Sequence, residues 1–153
     1  MVPSAQRFLA LIGFSAIALS LAHARGFMPA VDYTVGSAPV SMAAADFNGD
    51  RRPDLAVVNE KDGTVSLLLG RGDGTFRRAK TFVVGNGPSG IAAADFNGDG
   101  RPDLVVTNAG DNTLNILVNN GHGGFDVAPP IPSGGIEPLA VAALDLNGDG
   151  VLI

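Results

Sequence analysis

The sequence predicts an all-β fold in which an antiparallel sheet of four strands recurs along the chain. The nonapeptide DFNGDRRPD at 46–54 returns as DFNGDGRPD at 95–103 and starts once more as DLNGDG at 145–150. Between these copies, short apolar segments alternate with turn residues, and no helical period extends over a useful length. Together, the repeat and the strand pattern predict two complete sheets and the start of a third.

The spacing of the repeat sets the domain organisation. Asp46 recurs as Asp95 after 49 residues, and Asp145 follows after 50 more. Four antiparallel strands in about fifty residues match the period of one β-propeller blade. We therefore predict two complete blades and an incomplete third. The predicted boundaries are 33–84 for repeat 1, 85–134 for repeat 2 and 135–153 for the truncated repeat 3.

Each strand of the first repeat has a sequence signal. The first contains the small residues Ala43–Ala45, which suit an innermost strand where blades converge and space is scarce. The third is apolar on both faces, as expected when neighbouring blades cover it. The fourth carries Arg77 and Arg78, because charge protects an exposed sheet edge from stray pairing. The predicted strands are 40–45, 55–58, 65–69 and a fourth that ends at Val84.

The nonapeptide carries the candidate binding chemistry, with carboxylates at positions one, five and nine and an amide at position three. Side-chain and carbonyl oxygens around one turn are the ligands that calcium prefers. Three carboxylates held about 4 Å apart would repel by roughly 4 kcal/mol per pair at an effective dielectric constant near 20. We therefore predict that Ca²⁺ neutralises the loop. The expected ligands in the first copy are Asp46, Asn48, Asp50, Asp54 and the carbonyl of Arg52.

Two other interpretations apply to the acidic loop. An Asp/Asn/Gly-rich hairpin turn needs no metal, because these residues tolerate left-handed backbone conformations. An EF-hand or a dockerin-like loop needs an acid at position twelve. That position is Val57 in the first copy and Val106 in the second, which disfavours both loop types there. The third copy stops before position twelve and leaves them open.

The unit G-x-x-P, AAADFNGDGRPDLVV, TLNILVNNG and a closing G-x-F resembles the FG-GAP/VCBS repeat of integrin-α-like β-propellers. The resemblance covers roughly residues 33–153. It implies that each blade binds calcium between its first two strands, through positions one, three, five, seven and nine. In this sequence the implied metal ligands are Asp46, Asn48, Asp50, Arg52, Asp54, Asp95, Asn97, Asp99, Arg101 and Asp103.

Two departures from the family pattern affect the expected affinities. Position six is Gly100 in the second copy, but it is Arg51 in the first, where a left-handed backbone would be strained. We expect the first loop to bind calcium more weakly than the second. The third loop has Ile153 in place of the closing acid, and we expect no tight binding there. Its remaining candidate ligands are Asp145, Asn147 and Asp149.

Composition disfavours several function classes. The chain has 153 residues, a formal net charge of -5 and no cysteine, which argues against nucleic-acid binding, disulfides and thiol chemistry. After residue 24 the only histidine is His122, so no Ser-His-Asp arrangement exists without it. We expect no enzyme activity, no catalytic residue and no organic cofactor. Arg71-Gly72-Asp73 and Gly85–Gly90 resemble integrin-binding and dinucleotide-binding motifs, and we expect neither function from them.

The first 24 residues have the order of a signal peptide. Arg7 supplies the positive end, Phe8–Leu21 an apolar run of fourteen, and Ala22-His23-Ala24 a cleavage site. The run is short for a membrane span, and the alternative is a buried helix. We predict cleavage after Ala24, a secreted or periplasmic protein, and no membrane span in the mature chain.

These features predict a secreted, calcium-binding β-propeller module with a binding or structural role toward an unidentified protein or carbohydrate ligand. The alternatives are an accessory propeller segment of a larger secreted enzyme and a dockerin-like docking protein. Propellers close with about four to eight blades. We therefore expect a fragment that needs further blades from a longer chain or from another copy.

Overall fold

A computed structural model describes residues 7–9 and 31–143, and this part of the chain contains strands and turns but no helix. The strands are β1 (Arg7–Leu9), β2 (Asp32–Thr34), β3 (Pro39–Ala45), β4 (Asp54–Asn59), β5 (Thr64–Leu68), β6 (Lys80–Val83), β7 (Pro88–Ala94), β8 (Asp103–Asn108), β9 (Thr113–Asn119), β10 (Phe125–Val127) and β11 (Ile131–Pro132). The all-β fold class predicted from the sequence is therefore confirmed.

Two antiparallel sheets of the same design make up most of the fold. The first has the order β3-β4-β5-β6 and the second the order β10-β9-β8-β7, with β11 added to β9. Their register is the same, because Ala44 pairs with Leu55 in the first sheet and Ala93 pairs with Leu104 in the second. These open sheets are consistent with the blades of an incomplete propeller.

The main core lies between the two sheets. Phe47 and Leu67 of repeat 1 pack with Leu104, Leu117 and Phe125 of repeat 2, and all five side chains are buried. The rings of Phe47 and Phe125 meet edge to face, with their centroids 5.4 Å apart. Burial of one such side chain contributes about 1.5–3 kcal/mol. One shared apolar layer therefore holds the two repeats together.

A second apolar cluster lies on the first sheet. Leu55, Val57, Leu68 and Phe76 form it, and Tyr33 packs against it. The rings of Tyr33 and Phe76 are 5.2 Å apart, and the Phe76 N–H donates to the Tyr33 hydroxyl at 3.2 Å. Because Tyr33 lies on β2, the segment that precedes β3 is attached to the first sheet.

A glycine packed against a buried asparagine recurs in both repeats. A Cβ atom on Gly36 would lie 2.7 Å from Asn59 Cγ, and one on Gly85 would lie 2.5 Å from Asn108 Nδ2. Both asparagines are fully buried, and their amides donate to threonine hydroxyls of the following strand. The glycine of the G-x-x-P pattern is therefore required by the close approach of this asparagine.

Two predictions concern residues outside the described part of the chain. Most of the predicted leader, residues 1–24, lies there, although Arg7–Leu9 forms β1 and pairs with β2. The third acidic loop, with Asp145, Asn147 and Asp149, also lies there. Within residues 7–9 and 31–143, no helix is long and apolar enough to cross a membrane.

Candidate metal-binding loops

Both complete nonapeptides connect the first two strands of their sheets, as predicted. Residues 46–54, called loop 1, follow β3 and end where β4 begins, and residues 95–103, called loop 2, follow β7 and end where β8 begins. The two loops border one cleft of about 390 Å³. Its lining consists of Asp46, Phe47, Asn48, Gly49, Gly100, Arg101, Pro102 and Gly121. Packing of the sheets therefore makes the two candidate sites neighbours.

The opening aspartate organises loop 1. Asp46 Oδ1 accepts the N–H of Gly49 at 2.8 Å and of Asp50 at 3.1 Å. Its Oδ2 accepts the N–H of Arg51 at 2.7 Å. Three backbone donors on one carboxylate fold the loop tightly around that side chain.

The opening aspartate of loop 2 makes the same contacts. Asp95 accepts the N–H groups of Gly98, Asp99 and Gly100 at 2.8, 3.2 and 2.8 Å. These hydrogen bonds favour the charged form and lower the pKa of Asp95, the Gly100 N–H contributing most. Asp95 is therefore ionised at neutral pH.

The side chains at positions three and five are also brought together. Asn48 Oδ1 accepts the N–H of Asp50 at 2.9 Å, and Asn48 Nδ2 donates to Asp50 Oδ2 at 3.2 Å. Asp50 Oδ1 accepts the N–H of Arg52 at 3.0 Å. In loop 2 the corresponding hydrogen bonds join Asn97, Asp99 and Arg101. The predicted ligands at positions one to seven thus share one turn in each loop.

The closing aspartate of loop 1 is buried. Asp54 has no exposed surface, and its carboxylate accepts the N–H of Phe47 at 3.0 Å and of Gly70 at 2.7 Å. Burial raises the pKa of Asp54, the two hydrogen bonds oppose that effect, and the charges of Asp50 and Asp46 raise the pKa further. A buried carboxylate beside two other acids is a group that a cation would stabilise.

Asp103 closes loop 2 in the same way. It is fully buried, and its carboxylate accepts the N–H of Phe96 at 3.1 Å and of Asn119 at 2.7 Å. Asn119 is the last residue of β9. The closing carboxylate therefore ties the loop to the third strand of its own sheet.

The acidic side chains of the loops are bonded to backbone amides and do not surround a common point. Among the residues that the structure describes, no group of three histidine, cysteine, aspartate or glutamate side chains is placed to hold a metal ion. An ionised carboxylate has about four acceptor positions. Asp46 uses three of them and Asp50 uses two. The oxygen donor set fits calcium chemically, but binding requires the carboxylates to reorient.

The backbone at position six is left-handed in both loops, with φ of 63° at Arg51 and 82° at Gly100. Glycine adopts this conformation freely, whereas a residue with a Cβ atom is strained by roughly 1–2 kcal/mol. Arg51 therefore has the left-handed backbone in which strain was predicted.

Position twelve supplies no ligand in either loop. Val57 lies in β4 and is 1% exposed, and Val106 lies in β8 and is 0% exposed. Both side chains belong to the apolar interior. Loops 1 and 2 therefore lack the acid that an EF-hand or dockerin-like loop requires.

The two motifs from which no function was expected, Arg71-Gly72-Asp73 and Gly85–Gly90, lie in turns and at the start of a strand. Asp73 of the exposed Arg71-Gly72-Asp73 turn accepts the N–H and the hydroxyl of Thr75, at 2.9 and 2.6 Å, and both bonds lower its pKa. Residues 85–87 precede β7 and residues 88–90 lie in it, and among the described residues no helix follows them. His122 is exposed on a glycine-rich turn.

Asn119 contacts both loops, a role that the repeat pattern does not predict. It is 1% exposed, and its Nδ2 donates to the carbonyl of Phe47 at 2.9 Å and to that of Pro102 at 3.0 Å. Phe47 belongs to loop 1 and Pro102 to loop 2. The one signal in the sequence is that the counterpart of this polar residue, 49 positions earlier, is Gly70.

Comparison with protein families gives a match over the same repeats. A family model described as an FG-GAP-like repeat matches residues 46–106 and again residues 95–152. The matches begin at the opening aspartates of loops 1 and 2 and together span more than half of the chain. Comparison with curated proteins and with solved structures gave no match.

Proposed function

Because the chain belongs to the FG-GAP-like repeat family, we propose that it is a secreted β-propeller module whose loops 1 and 2 bind Ca²⁺. Its role is binding or structural, and it has no catalytic activity of its own. Calcium binding would hold the strand connections in one conformation. The rigid loops and the surface around them would then contact a protein or carbohydrate ligand.

The buried closing carboxylate of loop 1 supports a cation most directly. Asp54 is fully buried, has a raised pKa, and receives part of that shift from the charges of Asp46 and Asp50. Such a group is destabilised as an anion unless positive charge is nearby. A divalent ion bound to the loop would supply that charge.

Hard oxygen atoms would hold the cation in each loop. In loop 1 these are the side chains of Asp46, Asn48, Asp50 and Asp54 and the carbonyl of Arg52. In loop 2 they are the side chains of Asp95, Asn97, Asp99 and Asp103 and the carbonyl of Arg101. Calcium takes about six to eight oxygen ligands, so water would fill the remaining positions.

Thermal unfolding of the full chain tests calcium binding. At a calcium concentration about one hundred times Kd, binding to the native state alone adds about 2.7 kcal/mol to the free energy of unfolding. For a domain of this size, that corresponds to a rise in Tm of roughly 5–11 °C. Addition of a chelator is expected to reverse the rise.

The matched variants separate loop binding from general charge effects. The double variant Asp50→Ala, Asp99→Ala should lose most of the calcium response. The control Asp73→Ala removes an acid from an exposed turn outside both loops and should keep the response. A wild-type Tm that does not change with calcium, together with no heat in calorimetric titration, would contradict the proposal.

Secretion is part of the same proposal. Loops that bind with a Kd of about 10⁻⁴–10⁻³ M are useful where calcium is millimolar, outside the cytoplasm. Expression with residues 1–24 in place, followed by N-terminal sequencing of the exported protein, should identify Arg25 as the first residue. Retention of an unprocessed chain inside the cell would argue against export.

Further blades complete the propeller in this proposal, either from a longer chain or from another copy. Val40 and Met42 on β3 are 48% and 41% exposed, and apolar strand residues of this kind are covered by a neighbouring blade in a closed propeller. Sedimentation velocity distinguishes the two sources. Association that increases with concentration indicates another copy, and a persistent monomer excludes it.

A further inference from the structure

One continuous chain of hydrogen bonds connects the closing carboxylates of the two loops. The Phe47 N–H donates to Asp54 at 3.0 Å, and the Phe47 carbonyl accepts from Asn119 Nδ2 at 2.9 Å. The Asn119 N–H in turn donates to Asp103 at 2.7 Å. Every residue in this chain is buried. Asn119 is therefore the one side chain through which loop 1 and loop 2 are joined along this path.

Only repeat 2 supplies a side chain for this link. The counterpart of Asn119 is Gly70, whose N–H also donates to a closing carboxylate, Asp54, at 2.7 Å. Gly70 has no side chain, and a Cβ atom there would lie 2.2 Å from the carbonyl oxygen of Pro53. The asparagine is thus not a general requirement of loop closure, because repeat 1 closes its loop without one.

Other contacts beside this link also join the two repeats. The ring of Phe47 contacts the ring of Phe125, which is also in edge-to-face contact with Phe82 at 5.5 Å. Lys80 Nζ donates to the carbonyl of Gly123 at 2.7 Å, again between repeats. Ring contacts and a further hydrogen bond therefore join the repeats beside the path through Asn119.

We infer that Asn119 is a positioning residue that couples the conformations of loops 1 and 2, so that ordering one loop orders the other. The calcium form of this inference rests on the proposed function: an ion bound in loop 2 would increase the calcium affinity of loop 1, and the reverse would hold equally. Such reciprocity is a thermodynamic requirement of any coupling between two sites. The hydrogen-bonded path through Asn119 would transmit this coupling between the two loops.

Site-resolved calcium titration by NMR tests the coupling in the full chain. The amide signal of Gly49 reports loop 1, and Asp99→Ala disables loop 2. In the wild-type background, Asp99→Ala should weaken calcium binding at loop 1 by at least about 5-fold, the lower end of typical allosteric coupling. In the Asn119→Ala background, the same substitution should leave the affinity of loop 1 unchanged.

Asn115→Ala is the matched control for this titration. Asn115 lies on the same strand and is 3% exposed, but its side chain contacts Ala128, Gly85 and Asn108 and neither loop. The coupling should survive in Asn115→Ala. Asn119→Gly, which introduces the residue present in repeat 1, provides a second variant that keeps the N–H donor to Asp103. Equal coupling with and without the Asn119 amide would overturn the inference.

Hydrogen exchange without metal separates this inference from calcium binding. The N–H groups of Asp50 and Arg51 are bonded to Asp46, and Asn119→Ala should increase their exchange at least about 5-fold relative to Asn115→Ala, by the same coupling range. If no loop binds calcium but this difference is found, the proposed function fails and the coupling stands. Equal exchange in the two variants would refute the coupling whether or not calcium binds.

Discussion

Loops 1 and 2 have the same hydrogen bonds to their opening carboxylates but different residues at the position that needs a left-handed backbone. Asp46 and Asp95 each accept three N–H groups, the third from Arg51 in loop 1 and from Gly100 in loop 2. The φ angles of these two residues differ by about 20°, yet both are left-handed. The loop conformation is therefore dictated by the opening carboxylate, and glycine only makes it less strained.

Charge also distinguishes the two loops. Loop 1 contains three aspartates and two arginines, whereas loop 2 contains three aspartates and one arginine, which pairs with Asp99 at the surface. An exposed ion pair of this kind contributes at most about 1 kcal/mol. The extra arginine makes loop 1 one charge less negative. Because of this charge and the backbone strain, we expect loop 1 to be the weaker of the two proposed calcium sites.

The largest expected loss of stability comes from removing a closing carboxylate. Asp103→Ala leaves the partly buried N–H of Phe96 and the buried N–H of Asn119 without their acceptor, and an unsatisfied buried donor costs about 1–3 kcal/mol. We expect a loss of about 3 kcal/mol in the free energy of unfolding, measured by urea denaturation. Asp54→Ala should cost less, because it also removes a charge that burial disfavours, as the raised pKa shows.

The exposed Asp99 provides the control for these two variants. Asp99→Ala removes an acid from the same loop without leaving a buried donor unpaired, and it should lower the stability by less than about 1 kcal/mol. A loss in Asp99→Ala as large as in Asp103→Ala would show that burial of the closing carboxylate is not what stabilises the loop.

The next largest effect is expected at the point where the two repeats differ in side-chain size. Gly70→Ala would place a Cβ atom 2.2 Å from the Pro53 carbonyl oxygen, and overpacking of this kind costs about 1–3 kcal/mol. We expect a loss of about 2 kcal/mol by urea denaturation. Gly135→Ala is the control, since no atom lies within 4 Å of its added Cβ, and it should be nearly neutral. Equal stability of both variants would contradict the steric account.

The sequence predicted those features that are encoded locally. The strands predicted at 55–58 and 65–69 match Asp54–Asn59 and Thr64–Leu68 to within one residue at each end, because apolar pattern and turn residues act over a few positions. Both acidic loops lie between the first two strands of a sheet, as predicted. Strain at Arg51 could be predicted from the identity of that residue alone, since only glycine adopts a left-handed backbone without cost.

Contacts between the two repeats could not be predicted from local sequence patterns. Asn119 donates to Phe47, 72 residues earlier in the chain, and nothing in the repeat spacing indicates which residues of two neighbouring sheets meet. The burial of Asp54 and Asp103 was not predicted either, because the repeat pattern indicates which residues carry oxygen ligands and not which of them the packed sheets bury. The packed sheets therefore bury the closing residue of each loop.

Relief of backbone strain in loop 1 should give a smaller, favourable effect. Arg51→Gly removes a Cβ atom from a residue with φ of 63°, a gain of roughly 1–2 kcal/mol that the greater flexibility of glycine in the unfolded chain reduces by about half. We expect a net stabilisation of about 0.5–1 kcal/mol, or roughly 1–4 °C in Tm. Calcium affinity at loop 1 should also approach that of loop 2.

Gly100→Ala is the reciprocal test in loop 2, where φ is 82°. It should destabilise the protein by about 1 kcal/mol, because alanine gains the strain that Arg51 already carries. Opposite signs for Arg51→Gly and Gly100→Ala would establish that the loops share one backbone requirement. The same sign for both would show that side-chain contacts, and not backbone strain, distinguish the loops.

The smallest expected effect is a difference in pH dependence between the turn at Asp73 in repeat 1 and the turn at Asn120 in repeat 2. Asp73 in repeat 1 accepts from Thr75, and the resulting hydrogen bonds lower its pKa below the ordinary value. Its contribution to stability is therefore complete above the pKa of the unfolded chain and is lost as the pH falls through the lower, folded-state pKa. In repeat 2 the turn is capped by the neutral amide of Asn120, which accepts the N–H of His122 at 3.0 Å.

Asp73→Asn keeps an acceptor but removes the titration, so the variant should be slightly less stable than the wild type at neutral pH. The difference should vanish in acid, where Asp73 is protonated in both the folded and the unfolded chain. Asn120→Asp should introduce a weaker pH dependence into repeat 2, because Asn120 accepts the N–H of His122, whereas Asp73 accepts both the N–H and the hydroxyl of Thr75. Calorimetric Tm values from neutral into acid solution provide the measurement. A difference between Asp73→Asn and the wild type that persists unchanged in acid would mean that the turn is stabilised by its shape and not by the charge of Asp73.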